Sequence, residues 1–140
     1  PAVLAALEAP EYQERIRNSQ SAQTYKTQLE VAKQNLKLLS DAGIRIAMGT
    51  DTGPAARFQG YFEHGELGLM VDSGLTPMQA IVASTGDAAT CMGLDSLGTL
   101  SAGKWADFVV FVGNPANNIA DSHTVESVWI AGNTVPDAGN

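Results

Sequence analysis

The chain has 140 residues, 44% of them hydrophobic, which suffices for a packed domain and excludes wholesale disorder. Its formal net charge of −7, with no Lys/Arg run interleaved with aromatics, excludes binding to a nucleic-acid backbone. No apolar run approaches the roughly 20 residues a membrane span needs, and the single cysteine, Cys91, forms no internal disulfide, so the fold does not depend on oxidation.

A reducing compartment fits that cysteine usage and favours the cytoplasm. The chain starts at Pro1 rather than Met, so a missing true N-terminus, and any targeting segment with it, is expected. The first forty residues read as helix. Pro10 opens it, and Glu8, Glu11 and Glu14 suit a positive helix end. Leu29, Ala32, Leu36 and Leu39 share one face, with Lys26, Glu30, Lys33 and Lys37 elsewhere. The polar stretch 18–21 predicts a joint between a short helix and a longer one, and Gly43 is placed as the C-terminal cap.

Next comes an apolar stretch in which Ile44, Ile46 and Met48 alternate on a period of two, as a buried strand requires. It runs straight into Gly49-Thr50-Asp51-Thr52-Gly53, where glycines let the backbone bend around a carboxylate. An acid at the C-terminal end of a barrel strand is where a (β/α) barrel keeps its chemistry. Taken alone, Asp51 reads equally as a turn-capping residue. A phosphate cradle is disfavoured, because no glycine-rich or Gly-Lys-Ser/Thr pattern follows and the acid repels phosphate.

A loop with Pro54, Arg57 and Phe58 leads to a predicted helix over 62–73, with Leu67, Met70 and Val71 inward and Gly74 closing it. Thr76 and Pro77 start another helix as N-cap and first residue. Asp87 is expected to cap a last short helix through Leu94, with Cys91 buried on it. From Leu97 onward, Phe108 to Val112 and Val125 to Ile130 read as short strands, and Ala131-Gly132-Asn133-Thr134 as a hairpin turn.

Four pieces in this order resemble the C-terminal end of the metal-dependent amidohydrolase superfamily, in its imidazolonepropionase-like and prolidase-like branch. They are Gly49-Thr50-Asp51; the run from Gly65-Glu66-Leu67 to Gly74-Leu75-Thr76-Pro77 and Ala80-Ile81; the Ala83-Ser84-Thr85, Ala88-Ala89 and Met92-Gly93-Leu94 pieces; and Gly98-Thr99-Leu100, Gly103 to Val110 and Asn114-Pro115. The ordered set, over residues 29–135, is far more specific than any one motif.

The resemblance implies an α/β fold: the C-terminal part of a (β/α)8 TIM barrel over 1–96, its last strand near 44–48, followed over 97–140 by strands of a small β-sandwich domain. It implies a divalent metal, zinc above others, in the complete enzyme, where metal-bound water attacks an amide or other C–N bond. Asp51 is then the metal-site and catalytic carboxylate, ligating metal and passing a proton to the leaving amine.

Arg57 and His64 are candidate substrate-binding residues, each against a plainer surface or helix-end role. His123 reads as solvent-facing and Lys104 as structural. The family's paired histidines, bridging Lys or Glu and further histidine ligands have no counterpart in a chain with two separated histidines. A full barrel needs about 250 residues. The expectation is therefore an inert piece of a hydrolase that binds no metal alone, acts on a small molecule or dipeptide only when complete, and self-associates or pairs with a missing N-terminal part. The competing reading is a non-enzymatic self-associating or binding module.

Overall fold

The structure is a computed structural model that describes residues 2–53 and 58–136. Six α-helices are followed by a small sheet: α1 (Ala2–Glu8), α2 (Pro10–Arg17), α3 (Gln20–Asp41), α4 (Tyr61–Asp72), α5 (Pro77–Ser84), α6 (Gly86–Cys91), β1 (Phe108–Phe111), a 3₁₀ helix (Ile119–His123), β2 (Val125–Ile130) and β3 (Asn133–Thr134). The sheet order is β1-β2-β3, antiparallel throughout.

Local chemistry sets most boundaries. The joint at 18–21 is present: Ser19 caps α3, its hydroxyl accepting from the Ala22 N–H at 3.1 Å. Gly43 and Gly74 take the left-handed conformations, φ +73 and +101, that stop α3 and α4. Thr76 and Gln79 form a reciprocal capping box over Pro77 at the start of α5. Asp87 is not a cap. Residue Thr85 occupies that position, and Asp87 lies in the first turn of α6, 3.3 Å from Arg45.

The core is small. Met70, Leu75, Ala80 and Ala83 are its buried cluster, and Leu36, Ile46, Met48, Leu67, Val71 and Ile119 pack around them. α4 and α5 therefore bury the faces expected of them. The α3 stripe does not: Leu36 is half-buried, but Leu29 and Leu39 stay more than 40% exposed. Nothing among the described residues lies over that side of α3, whose main neighbour is α4.

Residues 44–48 are extended but form no strand ladder among the described residues, so the expected last barrel strand is a lone extended segment. A parallel strand needs neighbours, and this chain offers none beside it. The Met48 N–H instead donates to the Ala83 carbonyl at 2.9 Å, which fastens the segment to the end of α5. Ile46 and Met48 reach the core, whereas Ile44 is 53% exposed.

The β region assembles as read, with one refinement. β2 and β3 are joined by Ala131 and Gly132 alone, both at positive φ, and Ile130 pairs with Asn133. Asp107 Oδ1 accepts from the Ala131 N–H at 2.7 Å and ties the hairpin to the chain entering β1. Cys91 is exposed, which corrects its expected burial; it ends α6 on the side away from the core.

Candidate functional site

The extended segment delivers Asp51 to the surface at φ +50, a left-handed conformation that Asp adopts more readily than most residues. Its two threonine neighbours hold it there. The hydroxyls of Thr50 and Thr52 lie 3.3 Å apart, and each donates to Glu63 Oε1 at 3.2 Å. The other Glu63 oxygen accepts the Gly60 N–H at 2.6 Å, at the start of α4. One carboxylate thus bolts the turn carrying Asp51 to a helix N-terminus.

Glu63 is held below the usual carboxylate value, first by its own backbone N–H, then by Gly60 and the two threonine hydroxyls, against an opposing push from burial. It therefore stays ionised, and both its oxygens are committed to positioning. Sequence reading passed over Glu63, although the Gly60-x-x-Glu63 spacing is a capping-box signal.

His64 follows on α4, and its Nδ1 lies 3.1 Å from the hydroxyl of Ser122, a residue only 2% exposed. Its ring also meets that of His123 at 4.6 Å between centroids. The two histidines of the chain, far apart in sequence, thereby join α4 to the 3₁₀ helix. Burial and then His123 lower the His64 pKa below its ordinary value, while Glu63 pulls the other way. His123 is exposed, as read, but packed on its partner ring.

Arg57 lies outside the described residues. Phe58 and Tyr61, at the end of the same loop, are exposed. Lys104 donates to the Leu97 carbonyl at 3.2 Å, a structural role.

Zinc sites take three or four protein ligands, and among the described residues no group of three or more His, Cys, Asp or Glu could hold a metal ion. Asp51 offers one carboxylate, and His64 and His123 meet each other at another place. The residues present do not fit a complete metal site.

Comparison with known proteins bears on the same segment. The amidohydrolase family model matches residues 11–135. An imidazolonepropionase from Deinococcus deserti is 36% identical over 101 residues, covering 69% of this chain and 25% of that protein. Its counterpart from Deinococcus radiodurans is 37% identical over 98 residues, covering 67% and 24%. Among solved structures, a Xaa-Pro dipeptidase with methionine bound in its active site superposes with a TM-score of 0.65 at 29% identity, over 74% of this chain and 25% of that one. The chain spans about a quarter of the length of the relatives it matches.

Proposed function

Because this chain belongs to the amidohydrolase family, in its imidazolonepropionase- and prolidase-like branch, we propose that it is the C-terminal quarter of a hydrolase acting on amide or related C–N bonds. In that reading the segment 44–48 is the last strand of a (β/α)8 barrel, residues 97–140 belong to a small β domain, and Asp51 is the carboxylate this piece brings to the active centre. The complete enzyme would hold a divalent metal, zinc above others, with most of its ligands outside this chain.

The observation that carries the reading is the fixed presentation of Asp51. The Thr50–Glu63–Thr52 bridge spends a buried-side carboxylate and two hydroxyls on holding one turn, more than a surface turn needs. A carboxylate presented so can take a proton from an attacking water and return it to a departing amine. Substrate choice belongs to several loops of a barrel, and His64 and Arg57 are the positions from which this piece would contribute.

Alone, the chain is inert in this proposal. Purified without chelator, it is expected to carry far less than one equivalent of divalent metal by elemental analysis, and to turn over no dipeptide or cyclic amide. Stoichiometric metal together with turnover that Asp51→Asn abolishes would overturn the incomplete-site reading and make the chain itself the enzyme.

A further inference from the structure

β1 is the outer strand of its sheet, and its far edge pairs with nothing among the described residues. The Val112 N–H donates to the Thr124 carbonyl and the Ala106 carbonyl accepts from Gly132, both on the β2 side. The irregularity in the ladder skips Glu126 on β2 and leaves β1 itself regular. By alternation, the backbone groups of Val109 and Phe111 therefore fall on the open edge.

Natural edge strands are usually blunted by lysine, proline or a bulge. Here residues 108–112 read Phe-Val-Val-Phe-Val with no charge and no proline, and Val109 and Val112 are 43% and 79% exposed. Beside that edge runs an open apolar cleft of 670 Å³ between β1 and α5–α6, lined by Ile81, Ala88, Met92, Leu97, Phe108 and Phe111 among others.

We propose that the β1 edge and this cleft are a homodimer interface, in which β1 of a second copy adds antiparallel to form a continuous six-stranded sheet. A two-fold axis normal to the sheet at Val110 sets Val109 of each copy against Phe111 of the other, and Phe108 against Val112. Every pair is apolar, so the strand complements itself, as an isologous contact requires.

The area is sufficient. The chain exposes 9703 Å², whereas a compact monomer of 14.7 kDa exposes about 6,900 Å². The excess of roughly 2,800 Å² is well above the ~800 Å² per partner of a standard interface. This inference stands on the sheet and its surroundings, and it holds whether or not the hydrolase reading does.

Multi-angle scattering or sedimentation over a wide dilution series tests it on the full chain. The expected species at high concentration has twice the 14.7 kDa chain mass. Val109→Lys places a charge on the edge, and Val109→Pro removes an edge N–H without touching the ladder to β2. Each is expected to weaken dimerisation by about tenfold or more with an unchanged circular dichroism spectrum, whereas Val31→Lys, exposed on α3, leaves it unaltered. A wild-type chain that stays monomeric, open-ended assemblies instead of dimers, or a dimer indifferent to a folded Val109 variant overturns the proposal.

Discussion

His64 sits between a hydroxyl that is almost fully buried and a second imidazole, and that setting gives it a definite pH behaviour. Its folded pKa is lowered from 6.5, by burial first and by His123 second. The unfolded chain then binds a proton that the folded one resists. Stability from this group is full above about 6.5 and is lost as pH falls from there toward the lowered folded value. Glu66, one turn on, is raised by burial and acts with the opposite sign, so the difference between wild type and His64→Gln is the diagnostic curve. That difference is expected to shrink from about pH 7.5 to about pH 5.5 in thermal unfolding. An NMR titration should put His64 below 6.5, and His123→Gln should return it only part of the way, because burial remains. A His64 midpoint at or above 6.5 overturns the account.

At this same scale, Asp51 could be found from sequence because its turn chemistry is local: glycines and threonines on both sides are read within five residues. Glu63 and Ser122 could not be found so directly. Their importance comes from partners at a distance, Thr50 and Thr52 for one and His64 for the other.

Among the elements, those bounded by caps and stops matched expectation most closely. The Ser19 joint, the Thr76-Pro77 start and the Gly43 and Gly74 ends are each written in adjacent residues. Those that failed needed a neighbour. The 44–48 segment has the alternation of a strand but nothing beside it to form a ladder, and the α3 stripe has the period of a buried face but little laid over it. Gly98 tests how the junction between α6 and the β region is held. It takes φ +80, and a Cβ there would lie 2.5 Å from Ala89 Cβ and 2.8 Å from the Thr85 carbonyl oxygen. Strain and clash act together, so Gly98→Ala is expected to cost about 2–3 kcal/mol or more. Thr76→Ala, which removes only one cap acceptor, is expected to cost about 1 kcal/mol. Chemical denaturation of the two variants side by side checks the order; equal costs would mean that the junction yields freely.

For the whole molecule, the contrast is between a core of a few residues and a surface larger than its mass requires. Two consequences separate. α1 and α2 pack chiefly on each other and on the start of α3, and α2 has no buried residue, so these helices add little to the stability of a single copy. The apolar surface around β1, Leu100 and Trp105 is different, because covering it changes the free energy of folding itself. If copies cover it for one another, association is linked to folding, and the thermal midpoint rises with protein concentration by mass action. Hydrogen exchange measured along the same series locates the effect. Protection of β1 and β2 is expected to increase with concentration, while the amides of α1 and α2 stay fast throughout. Protection that grows in α1 and α2 instead would move the interface to the helical arm, and a midpoint independent of concentration would mean that the chain folds as a single copy with this surface left open.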